Sequence, residues 1–338
     1  MSADDNGAPS VCVVLPTLDE EHRLGRVLES LAAQEYAGEL ELIVIDGGSR
    51  DRTREIAAEF GARVLDNPHR REEPARTIGI DATEADLVCF IDADNELPHP
   101  RWLSGLVEAV DLAPDAVSAD CLYHEWRRKD PAVSRLCALI GGDDPLAIDL
   151  GYADRWSYHL GRWTGMEVSE EASGNSLIVG VDPDQPPPMG SNGYLVRRKA
   201  LLETGYRPEF VHSDIVGDLA AHGFRFARVK DGIVNHHATG IREYARKTRR
   251  RVGRTVSREP AQRRGLRPPL ARVAWLSLNA LLLVRPSLQA IRGYRRKPDP
   301  AWALYPLVYW ITVATYVARS VRQLAGRRAV RPPGAGWS

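Results

Sequence analysis

Cysteine is scarce and unpatterned. The 338 residues hold four (Cys12, Cys89, Cys121, Cys137), with no CxxC and no metal-type spacing. That excludes a thiolate zinc site and gives no reason to expect an oxidising compartment. Cys12 and Cys89 sit inside apolar runs and read as small buried side chains. No internal repeat is found, and the opening MSADDNGAPS, polar and acidic, does not read as a secretory signal. Net charge is also missing, since Lys+Arg and Asp+Glu number 45 each. The zero hides a segregation. Arg242 to Lys297 carries 17 Lys/Arg against two acids, Glu243 and Glu259, so the rest of the chain is acidic. An acidic body with a basic C-terminal segment is attracted to phospholipid or to nucleic acid. The segment lacks any recognised nucleic-acid module, so a membrane surface is expected and nucleic acid is not.

What is present is an alternation of strand and helix patterns. Apolar runs at Val11–Leu15, Leu42–Ile45, Arg63–Leu65 and Leu87–Ile91 predict strands. Between them, Leu24, Val27, Leu28 and Leu31 recur at helical spacing, Ile56 and Phe60 mark a short helix, and a weaker one covers about 74–82. A helix with Leu103, Leu106, Val107 and Val110 follows. This pattern predicts an α/β fold with a doubly wound, mostly parallel sheet. Ligands of such sheets bind beyond the carboxyl ends of the strands. Three polar clusters fall there: residues 16–21, 46–53 and 92–95. Residues 131–188 read as long irregular loops, with GGDDP, EEASGN and QPPP. Regular structure is expected again at 193–196, 198–204, 214–222 and 225–234.

The last third changes character. Arg242, Arg246, Arg249 and Arg250 stand at helical spacing. Two apolar stretches follow: Val273–Val284, at 12 residues too short to span a bilayer, and Ala301–Ala318, 18 uncharged residues rich in aromatics. A basic interfacial helix with a hydrophobic hairpin or shallow insert is the reading, and helices packed on the catalytic domain are its rival.

Within VCFIDADN, Asp92 and Asp94 offer two hard oxygen ligands to Mg2+ or Mn2+. Alone, such a pair is more often a turn that caps the next helix. In VIDGGSRDRT, Asp46 is able to accept hydrogen bonds from a base or ribose, and its glycines let a ligand approach the backbone. The same residues also make a tight turn with a Ser49 or Asp51 cap, and both readings can hold.

The order PTLDEE, DGGSRDRT and ARTIGIDATEADLVCFIDADN resembles the donor half of family-2 nucleotide-sugar glycosyltransferases of the GT-A fold. MGSNGYLVRRKALLETGYRPEF is similar to that family's glycine-containing loop and Arg-Arg helix. HSDIVGDL stands where the family has its acidic motif, and VKDGIVNHH resembles its closing strand. The resemblance covers about residues 10–240 and departs twice: Gly47 replaces a common second Asp, and Ser213-Asp214 stands for the usual Glu-Asp.

The resemblance implies a nucleotide site of Pro16, Thr17, Glu20, Asp46 and Gly48, with Arg76 and Asp92 on the diphosphate. Asp92, Asp94 and His236 are the implied metal ligands for Mn2+ or Mg2+. Asp214 is the implied base, with Asp218 its rival. The implied reaction is inverting transfer of a sugar from a nucleoside-diphosphate donor to a lipid-linked or polyprenyl-phosphate acceptor. The implied place is the cytoplasmic face of the cell membrane. Expected domains are a catalytic unit over 1–240 (donor half 10–112, acceptor half 113–240), a basic and hydrophobic helical region over 241–326, and a disordered tail over 327–338. Two other functions fit parts of the pattern. A nucleotidylyltransferase shares the layout, but PTLDEE lacks its Gly-rich basic loop. A membrane-bound sugar- or nucleotide-binding protein with a dead site is disfavoured by the intact Asp92, Asp94 and Asp214.

Overall fold

The computed structural model describes residues 7–206, 209–257 and 269–329. The four apolar runs of the donor half form β1 (Val11–Thr17), β2 (Leu40–Asp46), β3 (Arg63–Asp66) and β4 (Leu87–Phe90). They are connected by α1 (Leu24–Ala32), α2 (Thr53–Glu59) and α3 (Glu72–Asp81). A short strand β5 (Asn95–Glu96) and α4 (Trp102–Val110) follow, then β6 (Ala116–His124). β1 pairs in parallel with both β2 and β4, and β2 with β3, so the strands lie in the order β3-β2-β1-β4. The chain therefore leaves β1 in one direction and returns to its other side at β4. That reversal opens a crevice at the carboxyl ends of these two strands.

Residues 131–188 are more regular than the sequence suggests. They contain α5 (Ala132–Ile140), α6 (Pro145–Leu150) and a hairpin of β7 (Val168–Ser173) and β8 (Ser176–Val181). The two helices escape a pattern search because α5 is buried nearly all round and α6 has six residues. Beyond them come β9 (Tyr194–Arg197), α7 (Arg198–Glu203), α8 (His212–Ala221) and β10 (Arg225–Asn235). β9 runs antiparallel between β4 and β6, β10 pairs in parallel with β6, and β8 and β7 complete the edge. The result is one mixed sheet of ten strands.

Apolar side chains cover both faces of the sheet. α1 and α4 pack with Val13, Leu15 and Cys89 on one face, while α3, α7 and α8 pack with Cys12, Val14 and Phe90 on the other. Gly79 of α3 lies so close to β1 that a Cβ there would come 2.4 Å from Val14 Cγ1. This small residue lets α3 lie against the strand, and α3 carries Arg76.

Among the described residues the last part of the chain forms four helices: α9 (Ile241–Ser257), α10 (Leu270–Leu281), α11 (Val284–Arg296) and, after a 3-10 turn at Pro300–Leu304, α12 (Tyr305–Ala329). They are not a separate domain. Tyr244, Leu276, Trp302, Tyr305 and Tyr309 share a third core with Val133, Leu136 and Ile140 of α5. Tyr309 and Tyr316 of α12 donate to Asp149 and Asp144 at 2.9 and 2.8 Å. The expected boundary at 240 is thus crossed by a continuous core. The expected tail begins inside α12, which runs to Ala329, and its remainder lies outside the described residues.

Candidate active site

The cleft at the β1/β4 crevice has a volume of about 350 Å³. Pro16 and Glu20 enter from the end of β1, and Asp92, Ala93 and Asp94 from the end of β4. Glu72 and Arg76 reach in from α3. The DADN turn is held by its own backbone. Asn95 Oδ1 accepts from the Asp92 amide at 3.0 Å, and the Asn95 amide donates to the Asp92 carbonyl at 2.9 Å. That hydrogen bonding leaves the Asp92 and Asp94 carboxylates to the cleft.

Arg76 is 2 % exposed and donates to Asp92 Oδ1 at 3.1 Å. Its Nε is buried with no partner in the structure, a donor in want of an anion. Burial pushes the Asp92 carboxyl up to about 7, against the pull of Arg76. Lys247 of α9 donates to Asp94 Oδ2 at 3.4 Å. Counting the lining side chains, five carboxylates (Glu20, Glu72, Asp92, Asp94, Asp143) face four cations (Arg76, Lys247, Arg250, Arg251). A divalent cation on the aspartates would turn that balance in favour of an anionic ligand. The two carboxylates are the hard donors such an ion takes.

The structure revises the histidine. His236 Nε2 lies 2.9 Å from Glu96 Oε2, in a separate depression with Arg127 and Asp130. His237 lines the cleft instead. The two follow β10 directly, where consecutive side chains point to opposite sides. Burial lowers the pKa of His237, although Asp143 and Asp94 pull the other way. A neutral imidazole beside two carboxylates suits a cation.

The acidic motif is revised too. Asp214 is 3 % exposed in the first turn of α8, and neither it nor Asp218 lines the cleft. His212 occupies that position. Asp214 lies two residues on, about 200° around the helix, so it turns away when His212 turns in. The carboxylate that does face the cleft from the acceptor side is Asp143 of the GGDD loop, which pairs with Arg251. Burial works to raise the Asp143 carboxyl, yet Arg251 and Lys247 hold it below its ordinary range.

The nucleotide-side residues divide. Pro16 and Glu20 line the cleft; Thr17, Asp46 and Gly48 do not. Asp46 is 1 % exposed, and its carboxylate accepts from the amides of Gly48 and Ser49 at 3.2 and 3.1 Å and from Arg54 at 3.1 Å. Burial opposes its ionisation, but Ser49 and Arg54 hold it below the usual carboxylate range. Asp46 therefore shapes the DGGS turn and has little left for a base. Gly48, at φ +82°, lets that turn close. The turn is tied to PTLDEE, for the Asp19 amide donates to Ser49 Oγ at 2.9 Å and the Arg50 amide to Asp19 Oδ1 at 2.8 Å.

Below the cleft lies a buried ionic cluster. Asp120 accepts from Arg155 at 3.1 Å and pairs with Arg228 Nε at 2.9 Å, all three side chains being 0 % exposed. Arg155 Nη2 also donates to the carbonyls of Ser191 and Asn192 at 3.3 and 3.0 Å. The cluster fixes the glycine-containing loop that forms the cleft wall. Gly190 in that loop has φ +101°, and a Cβ there would sit 2.8 Å from His212 Cβ.

Sequence reading missed His237, Asp143, Asn192 and the α9 cations. GGDD was legible only as part of a loop, and Lys247, Arg250 and Arg251 only as part of a basic stripe.

The mixed, mostly parallel sheet with helices on both faces is GT-A-like in fold. Residues 12–141 match the model of the family described as Glycosyl transferase family 2. The 4,4'-diaponeurosporenoate glycosyltransferase of Staphylococcus haemolyticus is 36% identical over 107 residues, which are 30% of this chain and 28% of that one. The glucosyl-3-phosphoglycerate synthase of Mycobacterium tuberculosis is 32% identical over 143 residues, 39% of this chain and 44% of that one. The chain thus spans less than half the length of the curated relatives it matches. A mannosyltransferase from Pyrobaculum calidifontis, solved with GDP-Man and Mn2+, covers 95% of this chain and 89% of its own. Its TM-score is 0.53 at 16% identity, a likeness of fold.

Proposed function

We propose that the protein is a metal-dependent, inverting glycosyltransferase that moves a sugar from a nucleoside-diphosphate donor to a lipid-linked acceptor. The observation that carries this reading is Arg76 paired to Asp92, with Asp94 beside it, on the β1/β4 crevice of a glycosyltransferase-family segment. The relatives named above transfer sugars to unlike acceptors, so the donor half does not by itself select the acceptor.

Asp92 and Asp94, joined by His237, are the residues that would hold Mn2+ or Mg2+. Such an ion, when bound, neutralises charge on the departing nucleoside diphosphate. The chain adds its own fixed charge: Arg76 from below, and Lys247 and Arg250 from α9, are placed to bind the diphosphate oxygens. Preorganised donors of this kind cost little reorganisation as the C1–O bond to phosphate breaks.

For a hydroxyl acceptor, Asp143 is the group placed to take the proton as the acceptor oxygen bonds to C1 from the opposite face. Its depressed pKa keeps it ionised, and Arg251 orients it. For a phosphate acceptor no proton has to move, and Asp143 and Arg251 position that group.

Membrane association is supported by the distribution of exposed apolar side chains. Of the 17 large ones among the described residues, 14 lie beyond residue 269, including Leu270, Trp275, Leu282 and Leu288. Patches of this kind mark interaction surfaces. Residues Pro300–Gln323 form a helix of 24 residues with mean hydropathy 1.3, long and apolar enough to cross a bilayer, and 39% of its apolar window is buried against the protein. The tyrosine hydrogen bonds of α12 into the body of the protein favour a helix that lies at the membrane interface over one that leaves the protein to span.

A donor screen with Mn2+ or Mg2+ and a lipid extract, reading nucleoside diphosphate release, tests the reading. Asp94→Ala should lower transfer by at least about three orders of magnitude, several kcal/mol of electrostatic stabilisation. Transfer that survives Asp94→Ala in full refutes the mechanism. With a hydroxyl acceptor, Asp143→Asn should cost about 10²–10⁴ in kcat while Asp214→Asn spares it.

A further inference from the structure

α9 presents three faces. Tyr244, Thr248 and Val252 are buried against the body. Lys247 and Arg251 turn to the cleft. Arg242, Ala245 and Arg249 fall on the side nearly opposite Lys247, at 100° per residue. That third face forms one wall of a groove of about 560 Å³ whose other wall is α12. Its floor is apolar: Leu307, Trp310, Ile311 and Ala314. Leu307 and Trp310 remain 45% and 43% exposed, so the floor is only half covered by the protein. Around it stand four guanidinium side chains, Arg242 and Arg249 from α9 and Arg319 and Arg322 from α12. No acidic side chain lies among the described residues that line it.

We infer that this groove is a binding site for one anionic phospholipid of the bilayer, with the phosphate among the arginines and an acyl chain along Leu307, Trp310 and Ala314. The inference rests on the membrane association proposed above. Charge complementarity fixes the head: guanidinium groups recognise phosphate with paired donors. The apolar floor excludes a free phosphate or sugar phosphate as the fitting ligand, since either leaves that floor bare. Its volume is that of a small-molecule site. Position excludes the acceptor substrate, because the groove and the cleft lie on nearly opposite sides of α9, and a phosphate held in one does not reach the other. A bilayer lipid meets both demands, and α12, which floors the groove, packs against α10 and α11, which carry exposed apolar side chains such as Trp275, Leu278 and Leu288. The bound lipid would clamp α9 to α12 and so set the helix that carries Lys247 over the cleft.

Flotation of the full chain with vesicles of phosphatidylcholine, with and without phosphatidylglycerol, tests this. Wild type should float with the anionic vesicles and much less with the neutral ones. The double variant Arg242→Gln/Arg249→Gln should bind them about 30-fold more weakly, each arginine near an anionic surface counting for about five-fold. Ala314→Trp keeps every charge and fills the floor, so it should also weaken binding; thermal unfolding at the wild-type temperature shows that both variants fold. Excess glycerol 3-phosphate should not release the protein.

Variants that float like wild type overturn the site while leaving membrane association intact. Release by glycerol 3-phosphate, or retention that requires polyprenyl phosphate in place of phosphatidylglycerol, overturns the assigned ligand. A wild type that floats with neither vesicle defeats the membrane reading and the site together, while sugar transfer is scored separately by nucleotide release.

Discussion

The anionic and the cationic sides of the cleft come from different regions and are held in different ways. In the first half of the chain, Asp92 and Asp94 sit at the end of β4, where local hydrogen bonds fix their turn, and Glu20 follows β1, its amide donating to Thr53 Oγ1 of the neighbouring α2 at 2.8 Å. Of the four cleft cations only Arg76 belongs to that half; Lys247, Arg250 and Arg251 come from α9, far along the chain. α9 is held by tertiary packing: Tyr244 Oη lies 2.8 Å from Thr312 Oγ1 of α12 and donates to the Asp143 carbonyl at 2.9 Å. The segment that matches the family ends at residue 141, before any of this. The segment that matches the family model therefore makes a carboxylate-rich crevice, and α9 supplies three of the four cations that line it.

The severest way to break that comparison is to cut the chain after Gly240. Were the halves independent, a soluble catalytic domain would remain. The third core says otherwise, since Val133, Leu136, Leu139 and Ile140 would lose the helices that cover them. The truncated chain is expected to lose cooperative thermal unfolding and to aggregate; a sharp transition at the wild-type temperature would show that the C-terminal helices are dispensable. A smaller break lies beneath the cleft. Asp120→Ala leaves Arg155 and Arg228 buried with one compensating carboxylate fewer, Asp154 being 19% exposed. Removing one partner of such a cluster costs about 3–5 kcal/mol, to be read from urea unfolding.

This contrast also explains what was legible. Strands β1 to β4, the crevice between them and Asp92 and Asp94 followed from apolar runs that end in polar clusters, because local pattern and tertiary role agree there; Arg76 came only with the resemblance. For Asp46 the sequence left two roles open, a nucleotide contact and a tight turn, and the structure shows the turn. Its hydrogen bonds are spent on its own turn, and no pattern shows whether a carboxylate is already satisfied. His237 against His236, and His212 against Asp214, turn on which way a side chain points at the end of an element, where one residue of offset after a strand, or two on a helix, reverses the answer. Lys247 was visible as charge and invisible as a partner of Asp94, because 153 residues separate them. The closing helices were visible as apolar stretches, but their tyrosine hydrogen bonds to Asp144 and Asp149 are long-range and carry no local mark.

A milder perturbation, acid, separates the two sides without mutating either. Burial, with Arg76 nearby, lowers the pKa of His212 to about 4 from an ordinary 6.5. Between those values the unfolded chain binds a proton that the folded chain refuses, so stability rises with pH and is lost as pH falls below 6.5. From pH 6.5 to 5 this one imidazole accounts for about 2 kcal/mol. His124 and His237 shift in the same direction, chiefly through burial, so the wild-type acid limb is steeper than one site gives. His212→Gln should remove its share, seen as a flatter dependence of the denaturation midpoint on pH. An unchanged slope would mean that solvent reaches this imidazole in the folded state.

The gentlest test bears most directly on the comparison. Lys247→Met keeps the apolar stem and deletes the charge that α9 places 3.4 Å from Asp94. If that ammonium merely caps a carboxylate, its loss frees Asp94, and Mn2+ measured without donor should bind more tightly while donor KM stays put. If it also serves the diphosphate, the two readouts part: Mn2+ binding rises, yet donor KM climbs about ten-fold, on the order of 1.4 kcal/mol for one charge-assisted contact. The second outcome is expected, because Lys247 shares the cleft wall with Arg250 and lies on the only C-terminal helix that lines it among the described residues. A KM that does not move would reduce α9 to scaffolding and return the diphosphate to Arg76 and the metal alone.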